Sequence, residues 1–355
     1  MASTLIRACV THRLMFTTVR SSTLCPALIN YVQHRGHSQY EMKYLKEIFI
    51  KRENLGPEKE RRRSEWMNWN YDSEIYCFGK RLGEDFNDAT IRQAFVHPSF
   101  VDAEKRKRAE LGIDVESVPL LLQDNTELAK AGSALMSNYV KVYLRNTFPY
   151  MFEECISAIH DYLMKDETTS NIAQHIGCKD LILSEDFPVS QSTLSLTLKA
   201  VIGALLKDKG QEQAERFIRD FVLTQLVGKD INEMWELINP MGLLIAYLVL
   251  SGRGEPESRL LWKSGANTIM SLFWVGIYSD KQLIAKSPGE TILIAEEMAA
   301  REAIKAIMKT EDNRQPLILG RQADSLKIDY NRKNLSAEDL IRKHYSWAIG
   351  DVKVA

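Results

Sequence analysis

The chain has 355 residues, of which 45% are hydrophobic and 26% are charged, and its formal net charge is −1. This balance is typical of a globular protein, and the near-neutral charge excludes a generally basic coat for nucleic acid. No apolar run reaches the roughly 18–20 residues of a membrane span. The length is sufficient for two domains with cores of their own.

The cysteine pattern indicates a reducing compartment. The five cysteines, at positions 9, 25, 77, 155 and 178, match neither a metal-ligand spacing nor a disulfide framework. Cys77, Cys155 and Cys178 are predicted to be buried thiols. No metal ion or other cofactor is expected.

Residues 1–38 have the composition of a mitochondrial presequence. They contain no Asp, Glu or Lys, many Ser and Thr, and the arginines Arg7, Arg13, Arg20 and Arg35. A secretory signal needs a longer apolar block than these arginines leave. We therefore predict import into the mitochondrial matrix, with cleavage near residues 35–38. A disordered polar N-terminus is the alternative.

Residues 39–69 are predicted to form a charged helical extension with a thin apolar stripe that includes Tyr44 and Ile48. The cationic cluster KERRR, at residues 59–63, ends it. Arginine matches the geometry of phosphate groups. The cluster is either a solvated surface or an arm that contacts RNA phosphates through Lys59, Arg61, Arg62 and Arg63.

Residues 70–228 are predicted to form an all-helical domain, because apolar residues recur there at positions i, i+3 and i+4. The helical segments are residues 71–83, 88–96, 124–146, 149–164, 193–207 and 211–227. A second basic cluster, KRKR, is placed in a loop before Gly112. It is expected to be exposed, and its members are candidate RNA contacts: Lys105, Arg106, Lys107 and Arg108.

Residues 229–310 change to an α-β-β-β-α pattern. Asn239 is a suitable N-cap and Pro240 a suitable first residue for a helix that runs to about Leu250. Strands are predicted at residues 259–263, 271–278 and 282–286, with a tight turn at 279–281 and a last helix at 292–308.

Residues 311–355 are predicted to form a polar tail. The run SAED, at residues 336–339, is predicted to be a capping box for a short helix through Tyr345. Tyr345 and Trp347 are candidate anchors on a partner.

Three motifs in the helical domain resemble the ribonuclease III family, in that family's order. NTELAKAGSALM, at residues 125–136, resembles the signature NERLEFLGDAVL. AFVHPSF, at 94–100, resembles ALTHxSY and keeps His97 and Ser99, while AVIGALL, at 200–206, keeps Gly203. The resemblance implies the ribonuclease III fold. We predict that His97 is a hydrogen-bonded structural residue and not a general base.

The resemblance places the four metal-binding carboxylates of the family on Ala129, Ser133, Leu196 and Lys199. Magnesium requires hard oxygen ligands, and hydrolysis by this family's route requires metal-bound water. Ala129 and Leu196 carry no side-chain oxygen, Ser133 offers only a neutral hydroxyl, and Lys199 adds a positive charge. Glu127 points about 160° away from Ala129 around the helix and does not replace a lost ligand. We therefore expect neither a bound metal nor nuclease activity.

The α-β-β-β-α region resembles a double-stranded RNA-binding domain, and AEEMAA, at residues 295–300, matches that family's AEQxAA. The family carries a lysine pair at the start of the last helix, where it grips phosphates. Ile292 and Leu293 stand at those positions, which favours a protein-facing surface. The two alternatives are residual RNA contact through Arg301 or Lys305 and a degenerate domain kept for folding.

The combination resembles a family of structural proteins of the mitochondrial large ribosomal subunit. It implies a mostly α fold, with an all-helical ribonuclease III-like domain followed by a double-stranded RNA-binding-like domain. The implied partners are mitochondrial large-subunit ribosomal RNA and other mitochondrial ribosomal proteins. Because ribonuclease III-like folds dimerise, a paired contact through the first domain also remains open. The alternatives are an endoribonuclease acting on double-stranded RNA and a matrix factor for RNA processing or ribosome assembly.

Overall fold

The structure is a computed structural model that describes residues 39–56, 61–113, 120, 122–265, 268–312 and 316–350. These residues contain twelve α-helices and one three-stranded antiparallel sheet, so the prediction of a mostly helical chain is confirmed. The chain divides into two units, residues 1–61 and 62–355. The predicted presequence and Lys59 lie outside the described residues.

The described part of the first unit is dominated by one helix, α1 (Gln39–Leu55). The large apolar side chains of this helix are exposed, with Tyr44 at 66%, Phe49 at 60% and Leu55 at 84%. The predicted charged extension is therefore helical up to Leu55. Within the described part of this unit, the apolar stripe has no cover.

The second unit begins with an all-helical region, as predicted. Side-chain N-caps fix several of the helix starts: Asn70 and Asn87 accept hydrogen bonds from backbone amides two residues on, and Ser190 accepts one from Thr193. The helices are α2 (Tyr71–Leu82), α3 (Asp88–Ala94), α4 (Pro98–Glu110), α5 (Thr126–Thr147), α6 (Glu153–Met164), α7 (Asp166–Ile176), α8 (Gln191–Lys209) and α9 (Gln211–Phe221).

The basic cluster at residues 105–108 lies in α4, so its predicted placement in a loop is wrong. The helix starts at Pro98, with the His97 ring as its N-cap. Lys105 then pairs with Asp102 three residues earlier, and Arg108 with Glu104 four residues earlier. Such pairs stabilise an exposed helix that has little apolar periodicity. The apolar pattern was absent because α4 buries little of its surface.

Helices α5 and α8 form the centre of the core and approach each other at two glycines. A Cβ atom built on Gly132 would lie 2.0 Å from the carbonyl oxygen of Lys199. One built on Gly203 would lie 2.0 Å from the carbonyl oxygen of Leu128. No side chain fits in these two places, so the backbones of the two helices are in direct contact.

The α-β-β-β-α order of the next region is also confirmed. Asn239 caps the first helix by accepting a hydrogen bond from the Gly242 amide at 2.9 Å. Asp280 and Lys281 have φ angles of 51° and 67°, as a tight hairpin turn requires. The elements are α10 (Pro240–Leu250), β1 (Glu257–Ser264), β2 (Leu272–Ser279), β3 (Gln282–Gly289) and α11 (Ile292–Met308).

The chain after α11 returns to the helical region, a packing that the sequence pattern did not predict. The Tyr143 hydroxyl donates to the Ile318 carbonyl, and the Tyr330 hydroxyl donates to Glu215 at 2.8 Å. The Asn334 amide donates to the carbonyls of Phe148 and Met151, at 2.8 and 2.9 Å. The last helix, α12 (Ala337–Gly350), continues past Tyr345. The side chains of Tyr345 and Trp347 lie outside the described residues.

The cap of α12 differs from the predicted capping box. Ser336 accepts from the Asp339 amide at 3.3 Å, as predicted. The carboxylate that completes the cap is Glu154 of α6. It accepts from the Ser336 hydroxyl at 2.6 Å and from the amides of Ala337 and Glu338 at 2.8 and 3.2 Å.

Replacing Glu154 by glutamine is expected to lower the free energy of unfolding by about 1 kcal/mol, the usual cost of a lost helix cap. Burial raises the pKa of Glu154, but its hydrogen bonds outweigh burial and leave the pKa below its ordinary value. The cap is therefore fully present above the ordinary carboxyl pKa and is lost as the pH falls through the lowered one. Urea unfolding at pH 7 and pH 3 measures both effects. The exposed Glu127→Gln is the control, and an equal loss in the two variants would contradict the prediction.

Two of the three predicted buried thiols are confirmed. Cys155 and Cys178 are buried, and burial raises the pKa of both thiols to about 12. Cys77 is exposed, so this prediction is wrong. It follows Ile75, which is buried, by two residues in α2, and two residues turn a helix by about 200°.

Candidate functional site

The two segments that carry the four positions aligned with the ribonuclease III carboxylates meet where α5 and α8 cross. Ala129 and Ser133 lie on α5, one turn apart, and flank Gly132 along the chain. Leu196 and Lys199 lie on α8, and the Lys199 carbonyl is the backbone group that Gly132 approaches. The fold thus brings the two predicted pairs to one crossing.

Two of the four positions are apolar. Ala129 is 3% exposed, and Leu196 is half-buried against the core. Ala129 therefore contributes packing to the crossing. Neither Ala129 nor Leu196 offers a side-chain oxygen to a cation.

Lys199 carries its charge into a local ion pair. Its Nζ lies 3.3 Å from Oδ1 of Asp166, the first residue of α7, and its side chain is only 17% exposed. The Ser195 hydroxyl donates to the same oxygen at 2.6 Å and receives a hydrogen bond from Thr169 at 2.8 Å. The hydrogen bond from Ser195 is the main cause that holds the pKa of Asp166 below its ordinary value, while burial opposes it and the Lys199 charge assists it.

This arrangement does not fit a divalent cation. The carboxylate nearest to Lys199, Asp166, already binds an ammonium group and a hydroxyl. Within the described residues, no group of three or more His, Cys, Asp and Glu side chains is arranged to hold a metal ion. A metal ion at this crossing would have to displace Lys199 from its partner.

Replacing Lys199 by glutamine is expected to raise the pKa of Asp166 and to lower the free energy of unfolding at pH 7 by less than about 1 kcal/mol, because Asp166 is largely exposed. A carboxyl group with a lowered folded pKa stabilises the fold above its unfolded pKa and loses that contribution as the pH falls. The difference between the variant and the unaltered chain should therefore shrink below about pH 4.

Urea unfolding from pH 7 down to pH 3 tests this, with Lys207→Gln as the control on the exposed part of the same helix. A pH-independent difference at Lys199, or an equal one at Lys207, would contradict the role given to the ion pair. Sequence reasoning missed Asp166. Ser195 and Lys199 lie one turn apart on the same helix face, but this spacing does not indicate which carboxylate contacts them.

His97 is a structural residue, as predicted. Its Nδ1 accepts a hydrogen bond from the Ser99 amide at 3.2 Å and lies 2.7 Å from the Ser99 hydroxyl, so the ring caps α4. Burial lowers its pKa, and Asp186 opposes that shift. The ring nitrogen that would serve as a base is already engaged in the cap.

One arginine of each basic cluster, Arg62 and Arg106, contacts the same loop. The Arg62 guanidinium donates to the backbone carbonyls of Ser184, at 3.0 Å, and Glu185. Arg106 of the second cluster forms an ion pair with the Glu185 carboxylate. We call the surface formed by Arg62, Arg63 and the basic residues of α4 around Glu185 the basic rim.

The charges of the basic rim are partly balanced within the chain. Arg63 lies 3.8 Å from Asp180, and Lys105 lies 3.5 Å from Asp102. Lys107 is exposed, and so is Arg61 in the first unit. Exposed ion pairs of this kind are weak and exchange readily for phosphate contacts.

Arg301 and Lys305 lie away from the start of α11. Arg301 donates to the Leu237 carbonyl at 3.2 Å and to Glu297 at 2.9 Å. Lys305 pairs with Glu302 at 2.8 Å. Both side chains line a cavity of about 470 Å³ against residues 230–237. Ile292 and Leu293, at the helix start, are 48% and 77% exposed.

Comparisons with known proteins match both regions of the fold. A family model described as "Large ribosomal subunit protein mL44, endonuclease domain" matches residues 70–205, and one described as "MRPL44 dsRNA-binding domain" matches residues 235–341. The chain is 22% identical over 235 residues to Ribonuclease 3 of Lactococcus lactis subsp. cremoris (strain SK11), a match that covers 62% of this chain and 91% of that protein.

A solved nuclease domain of ribonuclease III from Campylobacter jejuni aligns over 44% of this chain and 97% of its own, at 22% identity and a TM-score of 0.35. Within the described residues, none of the helices combines the length and the apolar character needed to cross a membrane.

Large ribosomal subunit protein mL44 of Caenorhabditis elegans is 31% identical to the chain over 306 residues, which cover 84% of this chain and 75% of that protein. With a similarity that spans both regions of the fold, the chain belongs to the mL44 family of large ribosomal subunit proteins.

Proposed function

We propose that this protein is a non-catalytic structural component of the large subunit of the mitochondrial ribosome, in the mitochondrial matrix. There it binds ribosomal RNA and neighbouring ribosomal proteins. The observation that carries the proposal is the Lys199–Asp166 ion pair, together with the buried Ala129, at positions where the resemblance to ribonuclease III implies that family's metal-binding carboxylates. Membership of the mL44 family and the composition of residues 1–38 support the ribosome and the compartment.

The chemistry of the crossing supports a scaffold over an enzyme. Phosphodiester hydrolysis by a metal ion needs carboxylate ligands, a bound water and neutralisation of the phosphate charge. Lys199 supplies a positive charge, but it supplies neither a metal ligand nor a group that activates water. The positive charge of Lys199 instead stabilises the fold through its ion pair with Asp166.

The basic rim is the proposed RNA contact of the helical region. Arginine side chains bind phosphates in a bidentate manner, and Arg62 and Arg106 are held close together by Glu185. Lys59 and Arg61 are proposed as RNA contacts from the sequence alone. Arg301 and Lys305 are proposed as secondary contacts, available where the ion pairs with Glu297 and Glu302 exchange.

Sedimentation tests the proposal directly. The protein should co-migrate with the large mitochondrial subunit in salt that strips loosely bound proteins, and at one copy per mature particle. A chain found only in the soluble fraction would contradict a structural role. A chain found only on immature particles would favour the alternative of a matrix assembly or RNA-processing factor.

A nuclease assay tests the enzymatic alternative. The purified chain should leave a long RNA duplex intact in Mg²⁺ or Mn²⁺, while a bacterial ribonuclease III cleaves it. The comparison variant restores the four acids together: Ala129→Glu, Ser133→Asp, Leu196→Asp and Lys199→Glu. Cleavage by the unaltered chain that stops on addition of a chelator would overturn the non-catalytic assignment.

A paired contact through the helical region is a further part of the proposal, since related folds dimerise. Analytical ultracentrifugation of the purified chain measures it as a concentration-dependent mass. If the chain is a monomer at all concentrations, its helical region can pair only with a different protein of the ribosome and not with a second copy of the chain.

A further inference from the structure

The outer face of the three-stranded sheet has an unusual composition. In an antiparallel sheet, residues directly opposite each other project from the same face. Three rows of paired residues cross this face, with β1, β2 and β3 each supplying one residue to each row. The rows are Trp262–Trp274–Pro288, Arg259–Gly276–Lys286 and Glu257–Tyr278–Leu283.

The two faces of the sheet differ in burial on the central strand β2, where the outer-face residues Trp274 and Tyr278 are half-buried. On the inner face, Val275 and Ile277 are 1% and 0% exposed against the helices. On the outer face, Trp262 is 56% exposed, and Leu283 is 46% exposed. Contiguous exposed apolar side chains of this kind mark interaction surfaces.

The centre of this face is flat because Gly276 has no side chain. A Cβ atom built there would lie 2.9 Å from Leu261 Cδ1 and 3.0 Å from Leu283 Cδ1. The two leucines therefore lean over the glycine from both sides. Together with the tryptophan row and Tyr278, they form a continuous platform about five residues long on β2, or roughly 13 Å from Trp274 to Tyr278.

Two cations stand beside the aromatic rings of this platform. The Arg259 guanidinium carbon lies 5.3 Å from the centre of the Tyr278 ring, and the Lys286 Nζ lies 6.0 Å from that of Trp274. The acidic residue in the three rows, all of which the structure describes, is Glu257, and it is bound to Arg259 at 2.6 Å. The platform is thus aromatic and carries a net positive charge.

We propose that this sheet face binds single-stranded RNA. Unpaired bases stack on Trp262, Trp274 and Tyr278, and the phosphates between them lie against Arg259 and Lys286. Stacking on aromatic side chains flanked by cations is the way in which proteins bind single strands with little dependence on sequence. The two leucines add apolar contact to the base faces.

A duplex does not fit this platform, because its bases are stacked on each other and offer no free face. At the other candidate RNA surface of the region, the start of α11, Ile292 and Leu293 offer no charge to a phosphate. The start of α11 therefore offers RNA less than the sheet face does. This site is separate from the basic rim, and the proposal stands whether or not the protein is a ribosomal subunit.

Binding of oligouridine of about ten nucleotides to the purified full chain tests the proposal. We expect fluorescence anisotropy of the labelled RNA to report binding at low salt, with quenching of tryptophan emission. Trp262→Leu, at an exposed edge-strand position, should weaken binding about ten-fold. Arg259→Gln and Lys286→Gln should weaken it and reduce its salt dependence. Tyr76→Leu is the matched control, since Tyr76 is 66% exposed and lies under Lys80.

Equal affinities of Trp262→Leu, Tyr76→Leu and the unaltered chain would overturn the proposal, and so would a preference for a duplex of the same length. Circular dichroism melting shows whether each variant is folded, and the two charge variants provide the test if Trp262→Leu is not. If oligouridine fails to bind while Trp262→Leu loses its place in the large ribosomal subunit, the face is a protein-binding surface and the RNA proposal is wrong. Failure of RNA binding alone leaves ribosome membership intact.

Discussion

Replacing Gly203 by alanine is expected to lower the free energy of unfolding by about 3 kcal/mol or more, at the upper end of what overpacking a core costs. The new Cβ would lie 2.0 Å from the carbonyl oxygen of Leu128 and 2.7 Å from its carbonyl carbon. Both atoms belong to the backbone of α5, so no side-chain rotation relieves the clash. The two helices must separate, and the buried side chains around them lose contact.

Gly132→Ala is expected to have a similar effect, because its Cβ would lie 2.0 Å from the Lys199 carbonyl oxygen. Urea unfolding of both variants measures the loss. The neighbouring Ala131 is exposed, so Ala131→Val adds more volume to the same helix without touching α8 and should change stability by about 0.5 kcal/mol or less. Glycine variants as stable as Ala131→Val would mean that the helices do not cross in this way.

The glycine contact also determines what the candidate site can become. It holds the helix that carries Ala129, which is 3% exposed, against the backbone of α8. Restoration of all four acids is therefore expected to lower the free energy of unfolding. If that variant has no nuclease activity, this result does not support a nuclease activity of the unaltered chain.

Periodicity predicted the helices and strands well where apolar residues mark one buried face. Segment 193–207 gave α8 within a few residues, and the turn at 279–281 was placed correctly by its residue types. Periodicity failed for α4, which buries little and is stabilised by ion pairs along its surface. It also failed for Cys77, since an apolar residue type does not reveal which side of the helix it occupies.

The acid-depleted positions were found by motif resemblance, and the structure brings them to one crossing. Their partners were not predictable, because they come from distant parts of the chain. Asp166 reaches Lys199 from the start of another helix, and Glu154 caps a helix that begins at Ala337. Such contacts follow from tertiary packing. No local pattern near Lys199 or Ala337 indicates which carboxylate will contact these residues.

One of the contacts between the C-terminal segment and α9, at Arg219, is the second place where a single change should have a large effect. Arg219 is buried, with 7% of its side chain exposed, and its guanidinium holds Asp220 at 3.1 Å and Asp324 at 2.8 Å. Its hydrogen bonds to the two carboxylates outweigh burial and raise its pKa, so it stays charged at every accessible pH. Removal of one carboxylate leaves a buried cation with half of its compensation.

Asp324→Ala is therefore expected to lower the free energy of unfolding by about 3 kcal/mol, the lower end for a broken buried pair, because Asp324 itself is partly exposed. Arg219→Met should cost less, since it removes the buried charge and refills its space. Urea unfolding measures both variants, and trypsin cleavage at Lys327 reports release of the segment. The exposed Asp312→Ala is the control in the same part of the chain. If Arg219→Met is the more damaging change, packing around the guanidinium stabilises this contact more than its charge does.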